Sequence, residues 1–260
     1  RKNNENLWSD VIFKLSYVPV NYTNCAIDYQ ICYYDEKKYR DISIILTNNK
    51  KPVGIWPISI DNKFNFSSLG RNLMEPLFCK NLPLSTKQTI LKKIIKSLLY
   101  LKQHRKKLNI FFEKNFLNEN HTFLSNPEST LIKNCSKLSN EYISYFDLNI
   151  NKDSIKSYLR KSFKSLVDKK KSKFKYYILS NEDKNTWKNF RNLHKKVAGK
   201  ITRPISTWNN QFDAIKNNNG FLVYALDYNT MIGGGFFQFS KDEAIYGTGA
   251  YIEDYKKFSI

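Results

Sequence analysis

Two glycine clusters lie in the aromatic segment 231–251, MIGGGFFQFSKDEAIYGTGAY, and glycines between strand and helix can bind phosphate. A dinucleotide fingerprint needs G-x-G-x-x-G before a helix whose N-terminus meets the pyrophosphate. Here the first cluster is followed by strand-like residues 236–239, and the P-loop pattern G-x-x-x-x-G-K-S/T is absent. Both phosphate sites are therefore excluded. Two explanations stay open: the glycines make room for bulky aromatic rings, or a thin acyl or pantetheine chain lies along the bare backbone.

Other residue types in the chain support little further chemistry. His194 has a side chain suited to proton transfer near neutral pH, and it shares a predicted helix face with Phe190 and Val197. A hydrogen-bonded core histidine explains the same position. Three scattered histidines give no metal-ligand spacing. The four cysteines contain no C-x-x-C pair, which argues against a zinc ribbon or a redox dithiol: Cys25, Cys32, Cys79 and Cys135.

The elements that carry these residues follow from hydrophobic periodicity and turn residues. The first half is predicted to contain, in chain order, helix 21–37, strand 42–47, strand 53–60, a helix after the capping box at Ser85, and strand 108–113. The helix after Ser85 has an apolar stripe and, on its opposite face, Lys92, Lys93 and Lys96. We expect it to pack on a core with its lysines in water, and a membrane-surface helix is the alternative.

The second half repeats this order of elements without repeating the sequence. It is predicted to contain strand 145–148, a helix capped by Asp153 with the stripe Ile155, Tyr158, Leu159, Phe163 and Leu166, strand 176–179, a helix through Trp187 that ends at Gly199, a helix capped by Ser206 or Thr207, and strands 221–227, 231–239 and 244–252. The order predicts an α+β fold with two related subdomains, residues 1–144 and residues 145–260.

The chain carries a formal net charge of +20 over 260 residues. Clustered cations favour nucleic acid, but these are dispersed and accompany much Asn, Ile, Tyr and Phe, as an AT-rich coding sequence would produce. A basic surface also favours anionic ligands such as nucleotide sugars or CoA. No apolar run reaches the length of a membrane span, so we expect a soluble, cytoplasmic protein, with the inner face of the membrane as an alternative place. Because the chain begins with Arg1 and stops without a polar tail, we expect it to be part of a longer protein.

The order of motifs in residues 145–260 resembles the FemAB-like and BioF-like acyltransferases, a branch of the GNAT superfamily. The resemblance rests on SYLRKSFKSL at 157–166, FRNLHKK at 190–196, AGKITR at 198–203, GFLVY at 220–224, MIGGG at 231–235 and AIYGTGAY at 244–251. The first half fits more loosely, through NKKPVGIWP at 49–57. No single motif is diagnostic, and the order of the motifs carries the resemblance.

The resemblance implies tandem GNAT-like subdomains, each a mixed, mostly antiparallel sheet flanked by helices. It also implies transfer of an acyl or aminoacyl group to an amine of a cell-envelope, peptidoglycan or surface-polysaccharide precursor, such as a nucleotide-linked or lipid-linked sugar. The donor is then acyl-CoA or aminoacyl-tRNA, with no metal. GNAT sites carry Q/R-x-x-G-x-G/A, whereas the nearest match here begins with Ala244. We therefore expect the phosphate-binding turn to follow Ile260.

The resemblance also implies roles for individual residues. Tyr246 or Tyr251 protonates the leaving group, Glu243 or Asp242 serves as base, and His194 is a further proton-transfer candidate. Ordinary aromatic packing is the favoured explanation of both tyrosines, and a turn between strands explains both carboxylates equally well. The residues predicted to bind donor or acceptor are Arg160, Lys164, Arg203, Gly234, Gly235, Gly247 and Gly249.

A second function class fits the same composition. A non-catalytic basic module with a GNAT-like fold would bind nucleic acid or an anionic membrane surface. It predicts tight binding that weakens strongly with salt, whereas the acyltransferase predicts consumption of an activated acyl donor.

Overall fold

The computed structural model describes residues 1, 3–34, 38–68, 72–104, 112–113, 126–134, 137, 147, 149–161, 164 and 174–258. The chain forms two compact units. The first unit consists of Arg1–Lys137, Arg203–Asp213 and Phe239–Ile245, and the second of Leu138–Thr202, Ala214–Gln238 and Tyr246–Ile260. The first unit thus includes two short segments from the C-terminal part of the sequence.

The helices of the first unit include the longest described helix of the chain. They are α1 (Glu5–Phe13), α2 (Asn24–Tyr33), α3 (Leu84–His104) and α4 (Asn126–Lys133), with a single 3₁₀ turn at Val20–Tyr22. Helix α2 begins at Asn24 because Thr23 caps it: the Thr23 hydroxyl accepts a hydrogen bond from the Ala26 N–H at 3.3 Å. Helix α4 contacts α3.

The strands of the first unit form three small sheets. They are β1 (Tyr39–Asp41), β2 (Ile44–Asn48), β3 (Lys51–Trp56), β4 (Ser59–Asp61), β5 (Phe66–Ser67), β6 (Leu73–Met74), β7 (Leu77–Phe78) and β8 (Phe112–Glu113). The sheet orders are β1-β4-β5, β2-β3-β7 and β6-β8. The first two sheets are antiparallel, with Ile45 opposite Ile55 and Arg40 opposite Ile60, and the β6–β8 pair is parallel.

Two apolar clusters form the core of the first unit. The larger is built on Trp8, Val11, Leu15, Val18, Tyr22, Ile27, Ile31, Ile55 and Met74. The smaller joins α3 to the strands through Trp56, Ile58, Leu73 and Leu98. The buried indoles are hydrogen-bonded, since Trp8 donates to the Tyr22 carbonyl at 2.9 Å and Trp56 donates to the Met74 carbonyl at 2.7 Å. These bonds remove the penalty of burying an unpaired indole N–H.

The C-terminal part of the chain contributes α5 (Lys152–Tyr158), β9 (Lys175–Leu179), α6 (Lys184–Ala198), α7 (Ile205–Lys216), β10 (Gly220–Asp227), β11 (Thr230–Phe239) and β12 (Ala244–Tyr251). A single 3₁₀ segment follows at Glu253–Phe258. The sheet order is β12-β11-β10-β9. Strand β10 runs antiparallel to both neighbours, with Leu222 opposite Phe236 on β11 and opposite Leu179 on β9.

Helix α6 covers one face of this sheet. The Asp183 carboxylate caps its first turn by accepting hydrogen bonds from the N–H groups of Asn185 and Thr186, and Gly199 ends it in the left-handed conformation at φ 68°. Its buried stripe of Trp187, Phe190 and Leu193 turns toward the strands, where the Trp187 and Phe236 rings meet edge to face.

The α+β class, with antiparallel sheets flanked by helices, is confirmed. The tandem arrangement of two GNAT-like subdomains stays a prediction. The predicted boundary between residues 144 and 145 lies outside the described residues and stays a prediction as well. Residues Phe163, Leu166 and Cys135 also lie outside them, as does predicted strand 145–148 except for residue 147.

Several predicted element limits are wrong. Predicted helix 21–37 begins at Asn24, because Thr23 caps it, and ends at Tyr33. Predicted strand 53–60 is two strands that join different sheets, because Pro57 has no N–H with which to continue the ladder. Helix α1 was not predicted, although five of its nine residues are apolar.

Three predicted helix caps are also wrong. Helix α3 begins at Leu84, so Ser85 lies inside it. Helix α5 begins at Lys152, so Asp153 lies inside it, and the Asn151 carbonyl accepts the first helical N–H bonds. Helix α7 begins at Ile205, so Ser206 and Thr207 both lie inside it. Tyr158 does not belong to the inward stripe of α5, since it is 67% exposed.

Candidate functional site

The ring of Tyr246 lies across two glycines of the second unit's sheet. A Cβ added at Gly235 would stand 2.9 Å from the Tyr246 Cε2 atom, and a Cβ added at Gly249 would overlap the Tyr246 hydroxyl. Neither position leaves room for a side chain while the ring keeps this place. Three of the predicted site residues therefore lie in one compact group: Tyr246, Gly235 and Gly249.

The preceding glycine, Gly234, makes room for a different aromatic ring. A Cβ there would lie 3.0 and 3.1 Å from two ring carbons of Phe190, which is fully buried on α6. Since successive residues of a strand point to opposite faces, Gly234 faces α6 and Gly235 faces the other side. Aromatic rings of the chain itself thus occupy the space beside Gly234, Gly235 and Gly249, as the packing explanation expects.

Three aromatic rings form a row on the sheet face away from α6. The rings of Phe221 and Phe237 stack with centroids 5.2 Å apart, and those of Phe237 and Tyr246 lie 5.4 Å apart at 56°. Phe221 and Phe237 are directly opposite each other on β10 and β11. Neither phenylalanine was predicted as a site residue, although each alternates along its strand with a buried residue, Leu222 or Phe236, and this pattern indicates that both lie on the opposite face.

The hydroxyl of Tyr246 is held as a proton donor. Its partial burial, followed by the proximity of Tyr251, raises the pKa of Tyr246 above its ordinary value of 10.0. The phenol therefore stays protonated at neutral pH. Because the ring is 63% exposed, its outer face remains open to a ligand. An exposed, protonated phenol can donate a hydrogen bond or a proton to a bound group.

The structure does not bring His194 to this group. His194 is half-buried on α6, one turn after Phe190. Helix α6 covers the Gly234 face of the sheet, and Tyr246 lies on the Gly235 face. The sheet therefore separates the two side chains, and they cannot share one proton-transfer site. Val197, predicted on the same inward face as His194, is exposed.

In the first unit, the predicted bases Asp242 and Glu243 hold a backbone segment. The Asp242 carboxylate accepts the Val18 N–H at 2.8 Å, and the Glu243 carboxylate accepts the Val20 N–H at 2.7 Å. Burial raises the pKa of Glu243, and the Val20 hydrogen bond acts in the opposite direction. Both carboxylates thus bind the main chain of a distant segment, a role that their position in a turn does not predict.

The two other residues of this turn bind the same segment. The Ser240 hydroxyl donates to the Val18 carbonyl at 2.5 Å, and the Lys241 ammonium donates to the Leu15 carbonyl at 2.8 Å. We name residues 240–243 the anchoring turn. Its four consecutive side chains fix residues 15–20 by hydrogen bonds to the main chain.

Arg203 lies in a largely aromatic environment of the first unit. Its guanidinium stands 3.8 Å from the centroid of the Trp208 ring, and it donates to the Tyr29 hydroxyl at 2.9 Å and to the Gln211 side-chain oxygen at 3.2 Å. Burial lowers the pKa of Arg203, partly offset by Tyr29 and Tyr33. The side chain is thereby held in one orientation, with stacking and hydrogen bonds acting together.

The remaining predicted binding residues are less buried. Arg160 is exposed, and Lys164 is half-buried one helical turn later, where its N–H donates to the Arg160 carbonyl at 3.1 Å. This spacing places both cations on one side of the helical turn. Gly247 is exposed beside Tyr246, and Tyr251 is exposed near the end of β12.

Among the described residues, no group of three or more His, Cys, Asp or Glu side chains is arranged to hold a metal ion. Within the same part of the chain, no helix is long and apolar enough to cross a lipid bilayer.

The comparisons with known proteins support the architecture alone. No protein-family model matches the sequence, and no curated protein sequence matches it. The fold is similar to that of FemX. A crystal structure of FemX aligns with a TM-score of 0.63 at 11% sequence identity, over 98% of this chain and 81% of that chain. The likeness to FemX extends over nearly the whole chain, and it agrees with the FemAB-like resemblance of the sequence motifs.

Proposed function

We propose that this chain is an N-acyltransferase of the FemAB-like kind. It would transfer an acyl or aminoacyl group to an amine of a cell-envelope, peptidoglycan or surface-polysaccharide precursor. The observation that carries the proposal is the likeness to FemX over 98% of the chain, found independently of the motif order that suggests the same family. The donor, acyl-CoA or aminoacyl-tRNA, is part of the proposal through that family resemblance.

The proposed reaction makes one bond and breaks one. The neutral amine of the acceptor attacks the donor carbonyl carbon, and the new C–N bond forms as a tetrahedral oxyanion. The C–S bond of a thioester or the C–O bond of an aminoacyl ester then breaks. We assign Tyr246 the role of giving its phenol proton to the leaving group and recovering a proton from the acceptor nitrogen. The exposure of its ring supports this role because a leaving group can reach the protonated hydroxyl, whereas the raised pKa makes the phenol a weaker acid.

The binding roles in this proposal are divided between side chains and backbone. Arg160 and Lys164, which lie on one side of a helical turn, are proposed to contact an anionic group of donor or acceptor. Gly235 and Gly249 are proposed to act by letting the Tyr246 ring lie flat on the sheet. Glu243 is proposed to act structurally, because its carboxylate already accepts the Val20 N–H.

The direct test is a panel of donors and acceptors with the purified chain. We expect mass spectrometry to detect an amide product from a peptide or amino-sugar acceptor with either acyl-CoA or aminoacyl-tRNA. The proposal is wrong if neither donor class is consumed above the rate without protein across amine acceptors of both kinds.

A matched pair of tyrosine variants tests the assigned proton donor. Tyr246→Phe should lower kcat by about 100-fold or more with an aminoacyl ester, with KM nearly unchanged. The loss should be smaller with a thioester, because a thiolate leaves without a proton more readily than an alkoxide. Tyr228→Phe is the control, since Tyr228 lies in a turn and is 92% exposed. Equal activity of both variants would rule out Tyr246 as the proton donor.

A further inference from the structure

We propose that the outward face of helix α3 docks the protein on an anionic lipid bilayer surface. The docking face consists of Lys92, Lys93, Lys96 and Tyr100. This inference does not rest on the proposed acyl transfer, and it develops the membrane-surface alternative that the sequence leaves open for this helix.

The inward side of α3 holds the docking face in place. Leu98 packs in the cluster with Trp56 and Leu73, and Ile95 is also buried. The three lysines are exposed, and Tyr100 is 59% exposed. At 3.6 residues per turn, Lys92, Lys93, Lys96 and Tyr100 lie within an arc of about 100°. The helix therefore presents them together, on the side away from its core contacts.

The charge of this face has no compensation within the helix. Helix α3 has 21 residues and contains no Asp or Glu. In the described part of the chain, no carboxylate forms an ion pair with the three lysines of the face. Lys92 and Lys96 are four residues apart, a spacing at which like charges weaken a helix. The arrangement therefore does not stabilise the helix, and an anionic surface would be a favourable partner for it.

The composition of the face favours a lipid surface over nucleic acid. All the charged groups of the face are lysines, which act as point charges toward a diffuse negative surface. Arginine, whose planar fork recognises single phosphates, is absent from α3. Tyr100 supplies a ring with a polar tip, the side chain that settles at membrane–water interfaces. The ring of His104 lies beside that of Tyr100, with centroids 4.0 Å apart and a tilt of 30°.

The size of the effect follows from the number of lysines. Each lysine close to a phosphatidylserine-rich surface contributes roughly fivefold to the binding constant. Removing all three charges is therefore expected to weaken binding about 100-fold, and raising the salt concentration should weaken it as well. The ring of Tyr100 should add a contribution that salt does not change.

The test compares two triple variants that lose equal charge. Lys92→Gln, Lys93→Gln and Lys96→Gln neutralise the docking face, and Lys188→Gln, Lys195→Gln and Lys196→Gln neutralise three exposed lysines of α6. Binding of the full chain is measured by co-sedimentation with vesicles of phosphatidylcholine alone and of phosphatidylcholine mixed with phosphatidylserine. Thermal unfolding shows that both variants are folded.

We expect the unchanged chain and the α6 variant to bind the phosphatidylserine vesicles, and the α3 variant to lose binding by about 100-fold. Equal loss in both variants would overturn the proposal, because binding would then follow net charge alone. Absence of binding by the unchanged chain would overturn it too. Loss of affinity of the α3 variant for a single-stranded RNA oligonucleotide, without any vesicle binding, would instead identify a nucleic-acid surface. Acyl transfer to a water-soluble acceptor should occur at the same rate in the unchanged chain, the α3 variant and the α6 variant. A failure of the membrane-docking proposal can therefore be distinguished from a failure of the acyltransferase proposal.

Discussion

The adjacent glycines Gly234 and Gly235 are expected to respond in opposite ways to the same substitution. Both become alanine in the proposed pair of variants, so the added methyl group is identical. In Gly234→Ala the methyl meets the Phe190 ring, and in Gly235→Ala it meets the Tyr246 ring. The outcome depends on which of these two rings can move.

The ring of Phe190 cannot move away from the new methyl group. It is fully buried, and it packs against Trp187 with ring centroids 5.5 Å apart. Overpacking of this kind costs about 1 to 3 kcal/mol. Replacing glycine by alanine restores about 0.4 to 1 kcal/mol through the unfolded chain. Gly234→Ala should therefore lose about 1 to 2 kcal/mol of unfolding free energy, or roughly 2 to 8 °C in Tm.

The ring of Tyr246 can turn outward, since it is 63% exposed. The loss of its contacts on the sheet, about 0.5 to 1 kcal/mol, is nearly offset by the gain in the unfolded chain. Gly235→Ala should thus keep the Tm within a few degrees. A proton donor displaced by about 1 Å should nonetheless lower kcat by about 100-fold.

Thermal unfolding followed by circular dichroism measures the first difference, and kcat per mole of folded protein with an aminoacyl ester donor measures the second. If both variants lose Tm equally, the assignment of the two glycines to opposite faces is wrong. If Gly235→Ala keeps full kcat, Tyr246 is not held for catalysis by this glycine.

The other predictions concern buried polar groups of the first unit. Because the pKa of Glu243 is raised, its favourable contribution is present below about pH 4.5 and falls as the pH rises through the folded value. Glu243→Gln should therefore be at least as stable as the unchanged chain in urea unfolding at pH 7 and should keep its activity. Glu243→Ala leaves the Val20 N–H unpaired and should cost about 1 to 3 kcal/mol of unfolding free energy. A stable but inactive Gln variant would instead identify Glu243 as a catalytic base. Burial alone would raise the pKa of Asp41, but hydrogen bonds from Ser43 and the charge of Arg1 lower it. The stabilisation by the Asp41 carboxylate is therefore present above about pH 4 and is lost as the pH falls through the pKa of Asp41 in the folded protein. Asp41→Asn should cost about 3 kcal/mol at pH 7 and flatten the acid limb of stability against pH, and an unchanged acid limb would contradict the ion pair. Arg203→Lys should lower the unfolding free energy in urea by about 1 to 3 kcal/mol, because the stacking and the forked hydrogen bonds of the guanidinium are lost. An unchanged unfolding free energy would show that these contacts do not stabilise the fold.

Local signals in the sequence were sufficient for the elements around the candidate site. The periodicity from Trp187 and the glycine at 199 place α6 close to its observed limits, Lys184–Ala198. The run of mostly apolar residues that follows Gly220 likewise predicts β10 to within one residue, because the signal lies within the strand itself.

The occupants of the glycine sites could not be predicted in the same way. Gly234 and Gly235 are neighbours of one type, and only the three-dimensional pairing decides that one faces Phe190 and the other Tyr246. The hydrogen-bond partner of Glu243 could not be predicted either, since Val20 is 223 positions away in the sequence. Such contacts depend on how distant segments meet, which the local pattern does not contain.

The anchoring turn also sets a time order for the making of the protein. Its four hydrogen bonds join residues that are 222 to 226 positions apart. A ribosome adds about 5 to 20 residues per second, so residues 15–20 are made about 10 to 45 s before the turn that binds them. During this interval the N–H groups of Val18 and Val20 have only water or a chaperone as partners, whereas the Val20 carbonyl can already accept the Thr23 N–H. Residues 15–20 thus complete their hydrogen bonds only after the anchoring turn has been made.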